Sequence, residues 1–313
     1  MKSPALLAVC GLAASMLAYP VAAQTPAAPA ITEKINAYVG CINRLSERSH
    51  AAQSRYFSWV GKSGPTGKER IIYGTYTIYD TADCRKNIDK ANALEPHDAE
   101  LEKAASAYAQ AVATLEPLLK EADDYYTQEN YKDDRMAKGK ALHPRLVAAW
   151  DTFAAADRSL RDGVEAINDK RSAERLAEIE RSEGRKARYH VEALMIEAKR
   201  VMKLQTADKP DLAAITPAVE AYEKAVNAAE PFSTSDGGKN DPKIGSMFIS
   251  NAKSLLTTSK QLMRRVRDKV PYSTGDKMML NGAGSGWMVT GSPPRLLRDY
   301  NQLVDSYNRG ARI

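Results

Sequence analysis

Cysteine and histidine are scarce in this chain, with three Cys and four His among 313 residues. That scarcity excludes a dense disulfide scaffold and a Cys/His zinc array, because either needs several such ligands close together. Long hydrophobic runs are lacking too: no stretch reaches the ~18 apolar residues that a membrane-spanning helix requires. Charge of one sign does not dominate, since 45 Lys plus Arg face 39 Asp plus Glu for a net of +6. With no reader motif in view, that mild excess points away from a nucleic-acid partner. What is present is ordinary for a folded protein: 43% hydrophobic and 27% charged residues, enough to build a core.

The familiar catalytic and cofactor signatures fail on spacing. Gly61-Lys62-Ser63 lacks the Gly that a phosphate loop needs five positions before its second Gly, because Tyr56 stands there. Gly282, Gly284 and Gly286 are followed by Trp287 where a dinucleotide fingerprint needs its last Gly, and no βαβ context surrounds them. Ser250-Asn251-Ala252-Lys253 matches S-x-x-K, but no K-T-G follows and a helical stripe explains the segment. His50, His97, His143 and His190 are scattered, with no pair at the spacing of a zinc-binding helix. His97 and His143 each adjoin a proline and read as helix-start residues. No cofactor is expected.

The N-terminus has the pattern of a secretory signal peptide over residues 1–23. Lys2 precedes an apolar run from Ala5 to Ala18, and Val21-Ala22-Ala23 supplies the small residues of a cleavage site. Removing 23 of 313 residues leaves 290. Residues 24–30 (QTPAAPA) read as a flexible tether. Leu7-Ala8-Val9-Cys10 faintly resembles a lipoprotein processing site, yet Val9 is bulky and the apolar run continues past Cys10, which weighs against lipid anchoring. With Cys10 discarded, Cys41 and Cys84 form an even pair in an oxidising compartment. That reads as a disulfide, two free buried thiols being the alternative. A bridge closing a loop of about 43 residues would contribute roughly 3 to 4 kcal/mol by chain entropy.

Hydrophobic periodicity predicts an all-α multi-helix bundle. Ile35, Tyr38, Val39, Ile42 and Leu45 fall on one helical face, and similar stripes run from Leu101 to Leu119, Leu142 to Val164, Val191 to Val201, Leu212 to Val226, Ile244 to Val266 and Leu296 to Tyr307. Two segments depart from this. Residues 71–79 (IIYGTYTIY) are β-branched and aromatic, so a small β patch is expected near residues 70–79 and 286–290. Tyr108 to Pro117 matches Tyr222 to Pro231 at an offset of 114, and in both copies Pro is expected to end the helix. The match predicts one helical domain over 31–313 with two similar halves, 31–168 and 169–313.

Charge is unevenly spread. From Asp89 to Asp134 twelve carboxylates face four Lys, a net of −8, whereas Lys253 to Lys269 carries six basic residues and one Asp, a net of +5. The basic stretch suits an anionic envelope component. The connection 121–134 gathers Asp123, Asp124, Asp133 and Asp134 with Tyr125, Tyr126 and Tyr131. Acidic loops suit hard cations, although the EF-hand spacing is missing. Half-buried tyrosines can stack on partners.

Tyr38-Val39, Asn43, Ser54, Tyr56 to Trp59, Gly67-Lys68-Glu69, Tyr125-Tyr126, Tyr131 to Asp134, Gly139-Lys140, Trp287, Gly291-Ser292-Pro293 and Tyr300 to Asn308 resemble the YiiG-like family of bacterial envelope proteins, a domain of unknown function. The resemblance spans nearly the whole mature chain and implies a helical, exported protein, often lipid-anchored, with no assigned enzymatic activity. The chain departs from it in lacking a good lipidation Cys. The resulting expectation is a non-enzymatic binding or structural protein of the periplasm. It would meet an envelope protein or anionic component through Tyr125, Tyr126, Tyr131 and Trp287. The alternative is a metal-assisted enzyme using Asp123, Asp124, Asp133, Asp134 and His143.

Overall fold

The computed structural model describes residues 27–234, 243–282 and 284–311. The signal-peptide pattern and Cys10 lie outside them. The fold is all-α, and among the described residues there is no β-strand. The chain divides between Val164 and Glu165 into two compact units.

The first unit contains α1 (Ala27–Phe57), α2 (Thr81–Asn92), α3 (Ala99–Thr127) and the first part of α4 (Ala137–Glu183). Of the residues expected as a tether, 24–26 lie outside the described ones and 27–30 belong to α1. Pro29 is tolerated there because first-turn N–H groups have no intrahelical partner to lose. Cys84, Ile88 and Ala91 recur along α2 at helical spacing and are buried against the stripe of Tyr38, Ile42 and Leu45 on α1. Cys41 and Cys84 are joined as a disulfide with Cα atoms 5.3 Å apart, tying α1 to α2. Asp98 caps α3 by accepting a hydrogen bond from the Leu101 N–H at 3.0 Å.

Pro117 does not end α3, as its bias against helix in the preceding residue had suggested. The helix continues to Thr127 because Leu119, Ala122, Tyr125 and Tyr126 prolong the buried face, and packing outweighs one lost backbone bond. The second copy differs, since α6 stops at Ala229 and a short α7 (Pro231–Thr234) follows. Pro144 likewise lies inside α4, so His143 is a mid-helix residue and not a helix-start residue. His97, by contrast, does immediately precede the α3 cap.

The expected β patch is replaced by an extended segment held by side chains of α1 and of the turn after it. Arg55 Nε donates to the Tyr73 carbonyl at 2.9 Å, Trp59 Nε1 to Gly74 at 2.9 Å and Arg48 Nε to Thr77 at 3.1 Å. The Thr75 hydroxyl returns a bond to the Ala52 carbonyl at 3.0 Å. Backbone carbonyls satisfied in this way do not need a neighbouring strand. The proposed partner, around Trp287, is a 3-10 turn at Gly286–Met288.

Two buried polar clusters brace this unit. Lys34, fully shielded, pairs with Glu102 at 2.5 Å and also donates to the Pro96 carbonyl at 2.9 Å. Burial alone would raise the Glu102 carboxyl, but the bonds from Lys34, His97 and the Asp98 N–H outweigh it and hold the group down at about 2. The second cluster surrounds Asp157, which is 6% exposed. It accepts from Ser46 Oγ at 2.5 Å and from Arg161 Nε at 3.0 Å, and lies 3.3 Å from His50 Nε2.

The second unit takes the rest of α4 and adds α5 (Ala187–Gln205), α6 (Leu212–Ala229), α7, α8 (Ser246–Arg267), α9 (Thr274–Asn281) and α10 (Pro293–Ser306). Gly184, at φ +81°, ends α4 in the left-handed geometry that favours glycine. The core here is mainly aliphatic: Val191, Leu194, Val201, Ile215, Val219 and Leu255 pack around Tyr222. Asp211, Ser273 and Ser292 cap α6, α9 and α10 with their side chains. No helix among the described residues is long and apolar enough to cross a membrane.

Candidate functional site

Several of the residues that carry the family resemblance in the first unit, Tyr56, Trp59, Tyr125, Tyr126, Asp134 and Gly139 among them, meet at the connection between α3 and α4. Tyr56 is completely buried and its hydroxyl lies 3.1 Å from His143 Nδ1, while His143 Nε2 lies 3.3 Å from the Lys62 carbonyl. A carbonyl can only accept, so Nε2 carries the proton and Nδ1 accepts from Tyr56. Both imidazole nitrogens are thus committed to joining α4, α1 and the loop after α1. Burial pushes the Tyr56 phenol up to about 12.

Around this strut the aromatic rings pack edge to face. Trp59 and Tyr126 have centroids 5.0 Å apart, as do Tyr125 and Tyr126. Tyr125 and Tyr126 are only 2% and 5% exposed, which corrects the expectation that both present their rings to a partner. They are core side chains, drawn inward because α3 runs on past Pro117. Burial raises the Tyr126 phenol well above its ordinary range, with Tyr56 adding to the effect. Gly139 makes room for this packing: a Cβ there would come within 2.6 Å of Met136 Sδ and 2.9 Å of the Tyr126 hydroxyl.

The acidic residues serve the same framework. Tyr125 donates to Asp134 Oδ1 at 2.8 Å, and Asp134 also accepts from the N–H groups of Ala137 and Lys138 at the start of α4. These donors, the Lys138 N–H foremost, hold its carboxyl below the usual range. Asp124 pairs with Lys120 at 3.0 Å, and Glu121 with Lys138 at 3.2 Å and Arg145 at 3.4 Å. The −8 of the sequence window is therefore partly matched by bases from outside it. Among the described residues, no group of three or more His, Cys, Asp or Glu stands close enough to hold a metal ion. Asp123, Asp124, Asp133 and Asp134 do not converge, and His143 has no free nitrogen to offer them.

What remains on the surface is a rim. Lys132 and Asp133 are exposed and Tyr131 is half-buried. Glu129, Arg135 and Met136 all have positive φ, at 57°, 54° and 69°, a geometry that costs non-glycine residues about 1 kcal/mol or more each. All three lie in the connection between α3 and α4. Trp287 lies in the second unit, 39% exposed, beneath the Arg298 guanidinium at 4.0 Å from its ring centre.

The Asp157 cluster escaped sequence reasoning because its members come from α1 and α4. Its composition of Ser, His and Asp evokes hydrolytic chemistry, but its geometry does not support it. Ser46 and His50 both address Asp157 rather than each other, so no imidazole activates the hydroxyl, and Ser46 is fully buried. Lys34 left one readable sign: a cation on the same helical face as Tyr38 and Cys41.

These features define an all-α protein of two helical units. The chain belongs to the YiiG-like family of unknown function, as the family described as "Protein of unknown function (DUF3829)" matches residues 30–309. It is 39% identical over 295 residues to the "Uncharacterized protein YiiG" of Escherichia coli (strain K12), a match covering 91% of this chain and 82% of that relative. No solved structure matches the chain.

Proposed function

We propose that the chain is an exported, non-enzymatic binding protein of the bacterial periplasm. The observation that carries this reading is the buried Cys41–Cys84 disulfide, since such bonds persist in oxidising compartments. The leader pattern of residues 1–23 agrees with it. A binding role is favoured because His143, Asp134, Ser46 and Asp157 are all engaged in structural bonds. The binding surface is the rim formed by Tyr131, Lys132, Asp133 and Arg135 on its aromatic base, and the partner is another protein of the envelope.

Fractionation of expressing cells tests the location. The shockate should contain a chain shortened by about 23 residues, the length of the leader pattern, with no thiol that alkylates before reduction. A full-length cytoplasmic chain with reactive Cys41 and Cys84 would defeat the reading. For the surface, crosslinking in the envelope should capture a partner from the parent chain and lose it in the Lys132→Ala, Asp133→Ala double variant. Unchanged capture would place the surface elsewhere.

A further inference from the structure

The second unit contains a polar recess of about 300 Å³ between α8 and α10. Its α10 wall presents Arg295 and Arg298, three residues apart and so on one helical face. Its α8 wall presents Ser254 and Thr257 at the same spacing, with Gln261 one turn on. Asp299 also borders it but is turned inward: 6% exposed, it accepts from the buried Thr258 hydroxyl at 2.5 Å.

The two arginines keep donors in reserve. Neither Arg295 nor Arg298 is among the ion-paired cations of this unit, such as Lys253 with Glu230 and Lys260 with Glu223. Arg295 Nε is shielded from solvent and has no hydrogen-bond partner. A buried donor without an acceptor is costly, more so when charged, and an unmet one marks the place of a missing acceptor. Arg298 is held by its position over Trp287, which orients its guanidinium without consuming its N–H donors.

We infer that this recess binds a phosphoryl group, with Arg295 and Arg298 as its principal donors. The inference goes beyond the periplasmic reading and does not depend on it. A carboxylate presents two oxygens and is satisfied by one guanidinium fork. Two guanidinium groups facing hydroxyl and carboxamide side chains match an anion with three or four oxygens arranged tetrahedrally. The wall charge of two arginines against one Asp leaves a net positive site for it. The Trp287 shelf places an indole reporter beside the bound group.

Titration of the full chain with inorganic phosphate at low ionic strength, followed by calorimetry and by Trp fluorescence, tests the site. Saturable heat is expected, with a fluorescence change that Trp287→Phe removes. Arg295→Gln and Arg298→Gln should each weaken binding about tenfold or more, the loss of one charge-assisted contact. Arg264→Gln, an equal charge change outside the recess, should leave it intact. Acetate should compete poorly. Vesicles containing phosphatidylglycerol distinguish the two sources of the group. Binding to phosphate alone assigns a free phosphoryl ligand, and additional vesicle binding lost in the same variants assigns a lipid headgroup. No saturable heat, equal weakening by Arg264→Gln, or acetate binding as tight as phosphate would overturn the inference. Thermal melts of each variant confirm that it is folded.

Discussion

The two units solve the problem of a buried interior differently. The first places charge, hydroxyls and stacked aromatic rings inside, around Lys34–Glu102, Asp157 and Tyr56–His143, and adds a covalent bond. The second is packed mainly with aliphatic side chains, and its most buried phenol, Tyr222, needs only the Ala252 carbonyl at 3.0 Å. Directional contacts specify one arrangement and fail abruptly when a partner is removed. Aliphatic packing loses stability in proportion to volume removed. The first unit should therefore be the more brittle of the two.

Removing the Lys34 ammonium is the most severe way to probe that contrast. Lys34→Ala leaves the partly buried Glu102 without its ammonium, held only by His97 and the Asp98 N–H, a loss of about 3–5 kcal/mol. Hydrogen exchange should show α1, α2 and α3 deprotected while α5, α6 and α8 keep their protection. Equal losses in both units would erase the distinction. Reduction of Cys41–Cys84 comes next, at roughly 3 to 4 kcal/mol for its loop, again confined to the first unit and readable as a lowered urea midpoint.

Acid supplies a graded version of the same test. The Glu102 carboxyl at about 2 lies below its ordinary 4.5, so the pair contributes fully above about pH 4.5 and is lost as pH falls toward 2. Solvent screening of this carboxylate keeps the effect below the roughly 3 kcal/mol that the full shift would carry. A melting series from pH 5 to about 2 should show the first unit weakening, and Glu102→Gln should flatten that slope. The smallest effect belongs to the second unit. Tyr222→Phe removes one hydroxyl and its bond to Ala252, about 1 kcal/mol. A loss several times larger would mean that this unit, too, relies on directional contacts.

Helical stripes made most of the architecture readable from the sequence, because a 3.6-residue period is a local property. Cys41 and Cys84 were readable because no other pair remained after the leader. What escaped was decided across long separations. Residues 71–79 have strand composition, but Arg48 and Arg55 of α1 and Trp59 just beyond it take their carbonyls, which no local pattern reveals. Pro117 reads as a stop until the buried residues beyond it are weighed. Tyr125 and Tyr126 read as a rim because they stand beside acids, and only the extension of α3 turns them inward. The Arg295 and Arg298 recess is set by the facing of α8 and α10, which periodicity cannot assign.

The arginine-held segment has a further consequence. Ile71, Ile72, Tyr73, Tyr76, Ile78 and Tyr79 in one uninterrupted run, without proline or formal charge, make the composition from which fibrils nucleate. Ile71, Tyr73 and Tyr79 are about half exposed or more. Yet a second chain arriving to pair would find acceptors at Tyr73, Gly74 and Thr77 already taken by side-chain donors. Arg48 and Arg55 thus guard solubility: they deny a sticky ribbon the regular ladder it would need to recruit copies of itself.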